Sequence, residues 1–162
     1  MAGGRASGVQ GFTLIELVIT LAIVALLASV ALPVSELAVQ RTKEQELRRT
    51  LRQIREAIDL YKQASDEGRI RKSVGDSGYP KKLEELVEGV DDQKNPKKEK
   101  IYLLRRIPRD PLNADSTLSA AATWGKRSYT SPPDDPREGE DVFDVFSLAQ
   151  GKGINGQPYR DW

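Results

Sequence analysis

The chain predicts an α+β fold: a long N-terminal α-helical spine, with a membrane half and an amphipathic half, packed by a small antiparallel β-sheet domain. Three observations predict it. From Phe12 to Val34 the sequence is apolar in character, with Glu16 its one charged residue. Beyond that stretch, Leu47, Leu51, Ile54, Ile58 and Tyr61 recur at spacings that alternate between four and three, the period of one helix face. Near the C-terminus, residues Val142 to Leu148 alternate and are rich in β-branched and aromatic side chains, the pattern of a half-buried strand.

Taken in order, the first two observations predict one continuous helix from Phe12 to about Ser65. At about 1.5 Å per residue such a helix is on the order of 80 Å long. Residues 12–34 are long enough to cross a hydrocarbon core of about 30 Å. Pro33 removes a backbone donor, which predicts a kink or loosened turn there. On the amphipathic half, Arg48, Arg49, Arg52, Arg55, Glu56, Asp59 and Lys62 occupy the faces away from the apolar stripe. The arginine cluster reads either as a solvated face or as a contact for acidic lipid or a neighbouring subunit.

Gly68 and the segment Ser73–Gly78 end the helix in a loop. Tyr79-Pro80 opens a short helix predicted over Lys81–Glu88, with Leu83, Leu86 and Val87 inward and Gly89 as its stop. Residues 91–100 are charge-dense without periodicity and predict a mobile loop. Residues 103–111 read as an extended connection, and 112–123, rich in Ala, Ser and Thr, as a further loop. Strands are expected at Ser128–Thr130 and Val142–Leu148, separated by the turn-forming Pro132-Pro133-Asp134-Asp135-Pro136. Asp144 is expected on the solvent face of its strand. The acidic residues from Asp134 to Asp141 read as a mobile acidic loop or a cation contact. Residues 151–162 are expected to be coil, with Trp162 docked on the sheet.

Composition narrows the function. Lys+Arg is 25 and Asp+Glu is 24, so the overall balance does not favour nucleic acid or an acidic substrate. The chain has no His and no Cys. It therefore lacks the commonest general base, the commonest neutral metal ligand and any thiolate nucleophile, and no disulfide can staple its small domain. With no visible nucleophile–base set, an enzyme is not expected.

Glu16 stands out, because an ionised carboxylate at membrane depth costs roughly 2.5–3.5 kcal/mol and marks a functional site. The apolar run contains no cation to answer it. Cutting the chain between Gly11 and Phe12 creates one, an α-amino group about one helical turn from Glu16, which a staggered neighbouring copy could present. This divides the chain into a cleaved leader (1–11), the transmembrane and assembly half of the helix (12–34), and a globular domain that includes the amphipathic half (35–162). Unlike an ordinary secretory signal, the cut precedes the apolar stretch and leaves it on the mature protein. The charge bias places the C-terminal domain across the membrane, though basic residues from Arg41 onward oppose it.

Gly11-Phe12-Thr13-Leu14-Ile15-Glu16, with Pro33 further along, resembles the processing and assembly signature of type IV pilins and pseudopilins. Gly78–Leu86, Tyr102-Leu103 with Arg106–Pro111, and Phe143–Leu148 before a terminal Trp are similar to the G-type major pseudopilin of bacterial type II secretion. The resemblance implies cleavage before Phe12 by a prepilin peptidase with N-methylation of the new terminus. Phe12, Glu16 and Pro33 are then the assembly residues. The implied partners are further copies of the chain, minor pseudopilins, the peptidase, the inner-membrane assembly platform and, before assembly, membrane lipid; nucleic acid is not among them. The implied location is the bacterial inner membrane by a single pass, with the C-terminal domain in the periplasm, and a periplasmic pseudopilus after assembly.

The resemblance also implies a calcium ion in the loop before the terminal Trp. Here Ala149–Asp161 holds a single carboxylate, Asp161, beside Arg160, with Lys152 in mid-loop. Calcium takes six to eight oxygens, usually from several carboxylates, so no cofactor is expected. The alternative within the same family is a type IV pilin or minor pilin serving adhesion, motility or DNA uptake. Most of those carry a cysteine pair near the C-terminus, which this chain lacks. A second class is a single-pass, membrane-anchored binding module that does not polymerise.

Overall fold

In the computed structural model, residues 12–162 are described, the side chains at 30–34 excepted. Helix α1 runs from Leu14 to Asp66 and is helical through Pro33, so the chain does not break there. The chain forms two compact units, 1–39 and 40–162.

In the second unit, the stripe anticipated from periodicity is the core. Leu47, Leu51, Ile54, Ile58 and Tyr61 are all buried, and Leu83, Leu86, Trp124, Val145 and Tyr159 close over them. Each fully buried Leu or Ile contributes roughly 1.5–3 kcal/mol relative to an exposed one. That burial fixes which face of this half of α1 the rest of the domain packs against.

The segment after Pro80 is a correction to the expected helix over 81–88. Only Glu85–Glu88 is α-helical, here α2. Before it, the Glu85 and Leu86 amides donate three residues back to Lys82 and Leu83, which tightens the chain into turns rather than an α-helix. Gly89, at φ +77° and ψ 147°, ends α2 in a backbone conformation open to glycine.

Residues 91–100 are also more ordered than expected. Strands β1 (Val90–Asp91) and β2 (Lys100–Ile101) pair antiparallel and close the base of the loop. Inside it, Asp92 accepts from the Lys94 amide at 3.0 Å and pairs with Arg69 at 2.8 Å. The hydrogen bond from Arg69 holds the Asp92 carboxyl below the ordinary carboxylate range against the opposing effect of burial, with the Lys94 amide adding to it. Such side-chain turns leave no hydrophobic period for sequence reading to detect.

The larger sheet pairs β3 (Trp124–Arg127) antiparallel with β4 (Asp144–Ser147), Gly125 opposite Phe146. The expected late strand is thus found, shortened. The expected strand at 128–130 is not: Ser128–Ser131 forms a turn, and β3 lies just before it. A Trp-Gly-Lys-Arg sequence has no alternation to betray a strand. Asp144 lies on the less buried face of β4, as expected, but is paired there. It accepts from Arg55 at 2.8 Å and from Arg127 at 3.4 Å, tying β4 to α1. Trp162 packs against the core, edge-on to Tyr159 and under the Arg48 guanidinium, whose carbon lies 4.3 Å from the ring centroid.

Candidate functional site

At the start of α1 the local chemistry is a capping box. Thr13 Oγ1 accepts from the Glu16 amide at 3.3 Å, and Glu16 Oε2 reaches back to the Thr13 amide at a long 3.5 Å. A Thr followed three residues later by a Glu signals this in the sequence. The carboxylate is therefore turned toward the residue next to Phe12. It also lies in the first turn, where the helix dipole favours an anion.

Around it the helix is apolar and open. Phe12 is 85% exposed and Leu14 82%, and Ile15, Leu17, Val18, Ile19 and Leu21 are each more than half exposed. The hydroxyls in this stretch are satisfied within the helix: Thr20 donates to the Leu17 carbonyl at 2.9 Å and Ser29 to the Leu26 carbonyl at 2.7 Å. An apolar surface of this extent marks a membrane or protein contact. Among the described residues no helix is long and apolar enough to cross a membrane. The spanning segment expected over 12–34 includes side chains 30–34, which lie outside that description. Of the expected site residues, Phe12 and Glu16 lie four positions apart at the start of α1; Gly11 lies outside the described residues, and Pro33 is placed by its backbone alone, within α1.

Residues 7–32 match the family described as the prokaryotic N-terminal methylation motif. No curated protein and no solved structure matches the chain. The motif marks a processed, type IV pilin-like subunit, made as a membrane-anchored precursor and assembled into a polymer.

The C-terminal loop is the second place where function was expected. Its residues do not fit a calcium ion. Asp161 is more than half exposed at its side chain and sits 4.0 Å from Arg160, while Lys152 adds a cation to the same loop. Among the described residues no three His, Cys, Asp or Glu side chains converge. The loop is instead held by groups of the protein. Glu44, 7% exposed, accepts from the Ile154 amide at 2.9 Å, the Tyr159 hydroxyl at 3.0 Å and Gln40 at 2.9 Å. Arg55 donates to the Val145 carbonyl at 3.0 Å and the Trp162 carbonyl at 2.7 Å while pairing with Asp144. Burial pushes the Tyr159 phenol up; Gln40's hydrogen bond opposes this and Glu44's adds to it. The phenol thus remains a donor at neutral pH.

Sequence reading missed Glu44, although the stripe carried back from Leu47 by three residues places it on the inner face. It also missed Asp110, 2% exposed, which accepts from Ser147 at 2.5 Å and from the Leu112 amide at 2.8 Å. Asp141 was read only as part of an acidic loop, yet it is buried and accepts from Ser128 at 2.8 Å and from the Tyr129 amide at 2.9 Å. No signal in the chain marks these two carboxylates as internal.

Proposed function

We propose that this chain is a structural subunit of a type II secretion pseudopilus, not an enzyme. Its precursor is cut between Gly11 and Phe12 by prepilin peptidase and N-methylated at Phe12. Copies then leave the bilayer for a periplasmic filament whose growth drives protein export across the outer membrane. The observation that carries this reading is the methylation motif at the head of a helix whose apolar side chains stand open. A small domain closed by Glu44 and Arg55 in a chain without cysteine favours the pseudopilin over the disulfide-bearing pilins.

Each site residue has a role in this scheme. Glu16 neutralises the Phe12 amine of a neighbouring copy, an attraction strengthened where water is excluded. Pro33 relaxes the helix where it leaves the bilayer, and neighbouring helices satisfy the freed carbonyl. The assembly platform and minor pseudopilins start and extend the array. Intact-mass measurement on membrane-purified protein tests the processing step. The expected mass lacks residues 1–11 and carries one added methyl group; an uncut N-terminus refutes the scheme. In a strain lacking the gene, exported enzymes are expected to collect in the periplasm with motility and DNA uptake unchanged. The opposite pattern assigns the chain to a pilus.

A further inference from the structure

Arg48, Arg49 and Arg52 stand within two turns of α1, and all three are exposed. Arg52 is four residues from Arg48 and three from Arg49, spacings at which like charges are neighbours and destabilise a helix. Arg55, one turn on, is answered by Asp144. Arg49 and Arg52 have neither an ion pair nor a hydrogen bond among the described residues. With Gln45, Gln53 and Glu56 they line a groove of about 540 Å³ on the helix surface.

The opposite charge is on the same chain. Residues 131–141 hold five carboxylates against one guanidinium, Arg137. The loop is pinned from within: Asp141 is buried on Ser128 and Tyr129, and the Ser128 amide donates to the Arg137 carbonyl at 2.9 Å. Asp135 pairs with Arg137 at 2.6 Å and Glu138 with Lys126 at 3.5 Å. Asp134 and Glu140 remain exposed, without an ion pair among the described residues. A loop held in shape presents these carboxylates with little ordering cost on binding.

We propose that the Arg48–Arg49–Arg52 face of α1 receives the acidic loop, through Asp134 and Glu140, of a second copy of this chain. Two different, complementary surfaces on one protein make a heterologous contact, which extends as an open helical array wherever its rotation does not close a ring. Glu56 and Asp59 flank the guanidinia. That interleaving suits discrete carboxylates and disfavours a uniformly anionic lipid surface. The inference rests on the filament reading and adds to it a contact outside the N-terminal helix.

Because the chain has no cysteine, Arg52→Cys with Asp134→Cys places the only two thiols. In full-length protein expressed with its peptidase and mildly oxidised, the double variant is expected to give a ladder of covalent oligomers, and each single variant at most a dimer. A second arm reverses charge at residues with no internal ion pair, so the fold is retained, as far-UV circular dichroism checks. Arg49→Glu with Arg52→Glu is expected to lower filament yield about tenfold or more, as breaking close charge pairs across an interface does. Adding Asp134→Arg and Glu140→Arg to that variant is expected to restore it. Filaments without the ladder, or no restoration, overturn the proposal. So does loss of binding to phosphatidylglycerol vesicles in the arginine variant with filament yield unchanged, which makes the face a lipid contact. If the unmodified chain is uncut and forms no filaments, the filament reading itself fails, and this contact with it.

Discussion

Glu44 joins three parts of the domain at one point: Gln40 on its own helix, the Ile154 amide in the C-terminal loop, and the Tyr159 hydroxyl. A buried carboxylate is tolerated only where hydrogen bonds replace its water, and here three donors do so. Glu44→Met keeps most of the bulk but removes Oε1, the single acceptor that all three donors share. The expected cost is about 1–3 kcal/mol, the penalty for leaving a buried polar group unsatisfied. Urea unfolding of the full chain in detergent, followed by tryptophan fluorescence, measures it. The same logic governs Asp110 and Asp141, and it shows why single residues of this kind are hard to read beforehand. A Glu three positions before a buried Leu is equally compatible with the edge of a solvated face.

At the scale of elements, the register of β3 against β4 depends on a missing side chain. A Cβ on Gly125 would lie 2.4 Å from the Phe146 ring, well inside contact distance. Phe146 therefore lies over the backbone of its partner strand, and Gly125 is the residue type that permits it. Gly125→Ala is expected to destabilise the domain by about 1–3 kcal/mol through overpacking. Adding Phe146→Leu is expected to recover part of the loss; calorimetric melting of both variants is the check. Between elements, legibility in the sequence differs sharply. The buried stripe of α1 and the core of β4 follow from period and composition. The turns at 81–84, the β1–β2 ladder and the location of β3 do not, because each depends on side-chain turns or on a partner strand distant in sequence.

For the whole molecule, the chain divides its work between two compact units, 1–39 and 40–162. The first exposes apolar side chains around Glu16, and on the proposed reading it finds its partners only in the bilayer or in a polymer. Glu16→Ala is expected to be processed at Gly11–Phe12 yet to assemble poorly. Breaking a buried charge pair costs about 3–5 kcal/mol, enough to deplete sheared filaments below detection on an immunoblot. Normal filaments from that variant would remove the charge-pairing account while leaving the processing signature intact. The Thr13–Glu16 capping box adds a consequence: in a free subunit the carboxylate already has a local partner, so pairing with a neighbour must compete with it.

What the sequence by itself determined is local: the two-part helix, the face it buries, the late strand, and the Gly11-Phe12-Thr13-Leu14-Ile15-Glu16 signature with its implied processing. These are set by spacing and residue type over a few turns, and they survive without knowledge of the fold. What only the tertiary structure decided is where charge is allowed inside. Glu44 meets Ile154 across 110 positions, and Arg55 meets Trp162 across 107. Those pairings hold the C-terminal loop to α1 through the protein's own side chains. The physical reason is that hydrophobic burial follows a period along one element. The satisfaction of a buried polar group instead depends on a partner that another element brings to it.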